Sequence, residues 1–197
     1  MTGVQTWALP ILPGRYPQWA VAALALAAGT ATELRNRDYR TVESIWEDTL
    51  AKAPTNARAL ANLGLRYAEL GRYTEAVDIL RRAVELVPDS AGAHCDLGNT
   101  LLQQARHAAG QQGRPDPALV ASAMGSLREA VRIDPANALP QSALGNALLD
   151  FGSPTEALGP LRRATELDPL NADHQFNYGN ALVRADRPAD AAIAYAA

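Results

Sequence analysis

Apolar residues recur along this chain at helical spacing, in short blocks that come in pairs. In "ALANLGLRYAELGRYTEAVDILRRAVELVPDS", Leu60, Leu63, Tyr67 and Leu70 form one block, and Ala76, Leu80, Ala83 and Leu86 form the next. The pattern predicts two amphipathic helices joined by a tight turn at Gly71. It then repeats. Gly64, Gly98, Gly145 and Gly179 are separated by 34, 47 and 34 residues, and Pro54, Pro88, Pro135 and Pro169 by the same three intervals. Two independent landmarks sharing one period define a repeat of 34 residues, lengthened once by an insertion of 13.

The chemistry of each unit repeats as well. Small residues stand where two helices must approach closely: the four glycines in the first helix, and Ala76, Ala123, Ala157 and Ala191 in the second. Glycine within a helix costs roughly 0.5–1 kcal/mol relative to alanine, so a repeated one implies a return in packing. Each closing proline ends a helix, and two residues later Asn56, Ser90, Asn137 or Asn171 is placed to cap the next. Ser153-Pro154-Thr155-Glu156 reads as a capping box. Pro160 lies well inside a second helix, where it should remove a hydrogen bond and bend it. The insertion "ARHAAGQQGRPDP" (105–117) extends a first helix by one or two turns, with residues 113–116 as the turn and Asp116-Pro117 opening the next helix.

A 34-residue helix–turn–helix unit of this kind resembles the tetratricopeptide repeat (TPR). The matching residues are the pairs Leu63/Gly64, Leu97/Gly98 and Leu144/Gly145, with Tyr178/Gly179 as a variant, then the second-helix alanines, Ala83, Ala130 and Ala164, and the closing prolines. The resemblance implies an all-α, right-handed α-solenoid over residues 55–197, in units 55–88, 89–135 (with the insertion), 136–169 and 170–197, the last cut short at Ala197. The tryptophan common early in the family's first helix is replaced by Leu60, His94, Gln141 and Gln175, which predicts weaker packing there. In TPRs first-helix residues line a concave groove. That register places Asn62, Leu65 and Glu69, then Asp96, Asn99 and Gln103, then Asn146, Leu149 and Asp150, then Phe176, Asn177, Asn180 and Arg184 along it. A carboxamide both donates and accepts, so an asparagine row suits the backbone of an extended peptide. The expected role is a non-enzymatic scaffold with a protein or peptide partner.

The N-terminal third reads differently. Residues 1–11, "MTGVQTWALPI", resemble a translated sequencing-library adapter and carry no structural period. Residues 16–32 hold no charge and are followed by an arginine-rich stretch. They suit either a membrane-spanning helix at the lower length limit or the first helix of a degenerate repeat spanning 16–54. The string "RNRDYRTVESIWEDTLAKAPTNARALANLG" resembles the junction in bacterial membrane proteins related to TMTC-type O-mannosyltransferases, through Arg35-Asn36, Trp46, Pro54, Asn56 and Leu63-Gly64. That resemblance implies an acceptor-engaging TPR tail of a membrane glycosyltransferase whose catalytic part lies upstream. An O-GlcNAc-transferase-like parent is a third reading, from the asparagine row alone. The arginines favour a cytoplasmic tail by the positive-inside rule, whereas the TMTC family would place its repeats outside the cytoplasm.

Composition narrows the chemistry. With 18 Lys+Arg against 21 Asp+Glu the chain lacks the basic stripe of a nucleic-acid binder. One cysteine, Cys95, excludes an intrachain disulfide and a thiolate zinc site. Lys52 is the sole lysine, an arginine-over-lysine bias typical of GC-rich bacterial genomes. No glycine-rich phosphate loop and no catalytic constellation stand out: His94, Cys95 and Asp96 are adjacent, and neighbours on a helix point in different directions. Neither a metal nor a cofactor is expected.

Overall fold

The computed structural model describes residues 17–38 and 41–196, and among them every regular element is a helix. The adapter-like segment 1–11 lies outside the described residues. The chain divides into two compact units, residues 1–41 and 42–197.

In the first unit, α1 (Gln18–Asp38) is a 21-residue helix whose Thr30 and Thr32 hydroxyls donate back to carbonyls three or four residues earlier. Among the described residues no helix is long and apolar enough to cross a membrane.

Among the described residues the second unit holds nine helices: α2 (Val42–Lys52), α3 (Ala57–Glu69), α4 (Tyr73–Leu86), α5 (Ala91–Gln112), α6 (Pro117–Ile133), α7 (Ala138–Phe151), α8 (Pro154–Leu167), α9 (Ala172–Arg184) and α10 (Pro188–Ala196). From α3 onward they pair as antiparallel hairpins, α3/α4, α5/α6, α7/α8 and α9/α10, stacked in series. The helices start where the repeat predicts. Asn56, Ser90, Asn137 and Asn171 each accept a backbone N–H of the first turn at 3.0–3.2 Å, and Asp116 accepts Ala118 N at 2.8 Å. Ser153 departs from the expected capping box, for its side chain makes no cap hydrogen bond. Pro154 at the first helical position presets φ, and α8 starts without that help. It also continues past Pro160 to Leu167.

Close helix crossings explain the repeated spacing of small residues. Ala76, Ala123, Ala157 and Ala191 are at most 1% exposed. Each repeat glycine sits under a bulky residue four positions beyond one of those alanines: Gly64 under Leu80, Gly98 under Leu127, Gly145 under Leu161, and Gly179 under Tyr195. Leu80, Leu127 and Leu161 belong to one continuous core running through the stack. At its N-terminal side α2 supplies Trp46 and Leu50 against Leu63 and Tyr67. Glu47 accepts the Tyr67 hydroxyl at 2.8 Å, and Glu43 accepts Arg66 Nε at 2.6 Å, which fastens α2 to α3.

The positions expected to pack weakly are instead stitched. Leu60 is fully buried. His94 Nε2, Gln141 Nε2 and Gln175 Nε2 lie 2.9, 3.3 and 3.5 Å from the carbonyls of Pro88, Pro135 and Pro169, the closing proline of the preceding unit in each case. A polar side chain six residues on satisfies a turn carbonyl that the helix ladder leaves open.

The turns show a second substitution. Gly71 has φ +74°, and Asp186, in the same place of the last unit, has φ +59°. Their backbone hydrogen bonds correspond: Arg72 N to Tyr67 O and Arg187 N to Leu182 O, both at 2.8 Å.

Candidate functional site

Consecutive first helices touch one another, α3 with α5, α5 with α7 and α7 with α9, and among the described residues nothing comparable joins successive second helices. The first helices therefore form the inside of the stack, and their outward-facing polar side chains floor a groove. Two depressions run along it. One, of about 460 Å³, lies between α5 and α7 and is bordered by Asp96, Asn99, Gln103 and Asn146. The other, of about 430 Å³, lies between α7 and α9 and is bordered by Asn146, Leu149, Asp150, Asn177, Asn180 and Arg184. Asn146 and Arg106 border both, so the two are continuous.

Nine of the thirteen residues expected on the groove are thus brought together around these depressions, and Leu149 contributes little surface, being 8% exposed and part of the core. The remaining four stand elsewhere. Asn62, Leu65 and Glu69 belong to α3 and border neither depression. Phe176 borders a different hollow beside Leu170 and Tyr195, with its ring 6.0 Å from that of Tyr195. Tyr195 also donates its hydroxyl to Asn180 Oδ1 at 2.8 Å, so one of the row's carboxamides is engaged.

Arg106 is the groove residue that repeat register overlooks. It follows Asp96, Asn99 and Gln103 at steps of three, four and three, the spacing of a single helix face, but it lies within the insertion. Because the insertion prolongs α5 as helix to Gln112, the same face continues and carries Arg106 over α7. There Arg106 Nη2 donates to Asp150 Oδ2 at 2.5 Å, and its guanidinium lies 5.4 Å from the Phe151 ring centre. Arg184 Nη1 reaches the other Asp150 oxygen at 3.9 Å, so this carboxylate stands between two arginines. On the far side, the His107 ring meets that of Tyr73 at 5.3 Å with the planes tilted by 52°, and Gln104 donates to the Thr74 hydroxyl at 3.2 Å, anchoring the lengthened helix to the preceding unit.

Burial, reinforced by the neighbouring Asp96 charge, pushes the Cys95 thiol up to about 11, far from a thiolate at neutral pH. Burial likewise raises the Asp96 carboxyl above its ordinary range. Among the described residues no three His, Cys, Asp or Glu side chains are grouped to hold a metal ion.

Comparison with known proteins agrees with this architecture. Residues 64–104 match a family model described as TPR repeat, and residues 142–197 match one described as tetratricopeptide repeat. The chain is 32% identical over 98 residues to Protein O-mannosyl-transferase Tmtc3 of Drosophila melanogaster, covering 50% of this chain and 11% of that protein. It is 32% identical over 139 residues to Cellulose synthase 2 operon protein C of Komagataeibacter xylinus, covering 71% of this chain and 10% of that protein. The chain therefore spans about a tenth of the length of these relatives. Among solved structures, TTC0263, a thermophilic TPR protein of Thermus thermophilus, superposes with a TM-score of 0.66 at 20% identity, covering 87% of this chain and 86% of that one. The repeat spacing, the stacked hairpins and these matches together make the chain a member of the tetratricopeptide-repeat family.

Proposed function

We propose that this array is a protein-interaction scaffold that holds an extended peptide segment of its partner along the inner groove. The observation that carries the reading is the continuous trench from Asp96 to Arg184, lined by Asn99, Asn146 and Asn177. Extended backbone presents alternating donors and acceptors, and a carboxamide offers both. The groove so lined makes few demands on the side chains of its guest. Replacing Asn99 and Asn146 together by alanine removes two such contacts from half-buried positions on the first helices. Peptides are first selected on the full chain from a displayed random 12-residue library. The double variant is expected to bind them at least about tenfold more weakly, with helical circular dichroism and melting temperature nearly unchanged. Equal affinity for wild type and double variant refutes the groove.

A second reading rests on the similarity to Tmtc3, which covers half of this chain. In it the array is the acceptor-engaging tail of a membrane-bound O-mannosyl-type glycosyltransferase, and the guest in the groove is the acceptor protein. It takes second place because the match to the cellulose synthase operon protein extends over more of the chain. The gene from which the chain comes decides between them: a multi-pass membrane domain encoded directly upstream supports the tail, and its absence rules the tail out.

A further inference from the structure

Of the three carboxylates that the repeat register places on the inner face of the first helices, two are paired with arginine. Glu69 is paired with Arg66 at 2.9 Å. Asp150 lies between Arg106 and Arg184. Asp96 differs from both. It sits half-buried on α5 at the border of the 460 Å³ depression, and among the described residues no guanidinium, ammonium or hydrogen-bond donor reaches its carboxylate. Burial acts against its charged form and raises its titration. An ionised carboxylate held in this way forfeits hydration without compensation, and a cation arriving with a ligand restores it.

The surroundings specify what kind of cation. Asn99, Gln103, Ser142 and Asn146 offer neutral donors and acceptors around the depression, Arg106 at its far border is paired with Asp150, and among the described residues that line it there is no second carboxylate to complete a metal site. About 460 Å³ falls within the range of small-ligand pockets. Farther along the same face of α5, ten residues and roughly 15 Å of helix rise away, Arg106 begins a stretch where two arginines outnumber one aspartate. A basic group is repelled there and attracted at Asp96, so charge selects the Asp96 end of the groove.

We propose that Asp96 is the subsite for a basic side chain, lysine or arginine, of the peptide bound in the groove, an inference that rests on the peptide-binding reading above. The guest then lies with its basic residue over α5, and neutral or acidic residues toward α9.

The test uses the same displayed 12-residue library, selected on the full chain, with the synthetic peptides measured by fluorescence anisotropy. Lysine or arginine is expected at one fixed position of the selected peptides. Asp96→Asn, which keeps shape and removes charge, is expected to weaken them at least about tenfold, as does norleucine in place of the basic residue, and the two changes together cost no more than either alone. Circular dichroism and melting temperature confirm that Asp96→Asn folds. Peptides without a fixed basic position, or with equal affinity for wild type and Asp96→Asn, overturn the subsite while the groove stands. Peptides indifferent to the Asn99→Ala, Asn146→Ala pair, or a selection that yields no binder, overturn the groove and the subsite with it.

Discussion

Replacing Gly98 by alanine tests why the repeat keeps a glycine where helix propensity opposes it. A Cβ built at Gly98 would lie 2.7 Å from Leu127 Cγ, 2.9 Å from Leu127 Cδ2 and 3.1 Å from the backbone oxygen of Ala123. Ordinary contacts of these kinds begin near 3.4 Å. Leu127 is fully buried, so its branch has nowhere to turn, and the Ala123 oxygen is part of the helix and cannot step aside. Relief must come from separating α5 from α6, the hairpin that bears the insertion. Overpacking of this kind costs about 3 kcal/mol at the upper end of its usual range. Alanine's better helix propensity returns about 1 kcal/mol. The net expectation is a loss of about 2 kcal/mol, a fall in melting temperature of about 4–8 °C for a chain of this size. Gly125→Ala supplies the control, since Gly125 lies on α6 with nothing within 4 Å of its built Cβ. It should gain up to about 1 kcal/mol. Thermal and urea melts followed by far-ultraviolet circular dichroism read both. A Gly98→Ala protein as stable as wild type refutes the close-approach argument.

Three further outcomes are expected. Asp186→Gly relieves a left-handed backbone (φ +59°) at the position held by glycine in the first unit, and should stabilise by up to about 1 kcal/mol in a urea melt; a loss would show that the Asp186 side chain does something at that turn. The folded-state Asp96 carboxyl is raised above its unfolded value, so the stabilising contribution of its neutral form is present below about pH 4 and is lost as pH rises through the folded value. Asp96→Asn should accordingly melt at the same temperature as wild type in acid and at a higher one at neutral pH, and a pH-independent difference would contradict this. His174 is 4% exposed with both ring nitrogens unpartnered, and His174→Leu should leave the melting temperature unchanged or higher. A loss of more than about 1 kcal/mol there would mean that the imidazole has an unseen partner.

Much of the architecture was legible because a solenoid is local. Each unit contacts only its neighbours, so the apolar spacing, the glycine–alanine crossings and the caps are all written within some 34 residues of one another. Caps at Asn56, Ser90, Asn137 and Asn171 followed from residue type and position alone. Readings that took one side chain by itself fared less well. Ser153 looked like a cap, and Pro154 made it unnecessary. The polar substitutes at the tryptophan positions looked like weak packing, yet His94, Gln141 and Gln175 reach carbonyls that only the folded turn puts within range.

The groove shows the same division. Sequence by itself determined the all-helical repeat, its period, and which face of each first helix is polar, because these depend on helical geometry and on spacing along the chain. Tertiary structure decided which of those polar residues meet. It separated Phe176 and the α3 residues from the two depressions and added Arg106 from an insertion that register treats as an interruption. It also left Asp96 without a partner while giving Asp150 two. Those outcomes turn on distances between side chains 44 residues apart, as in the Arg106–Asp150 pair, and such distances are set by how successive hairpins stack, which no single repeat encodes.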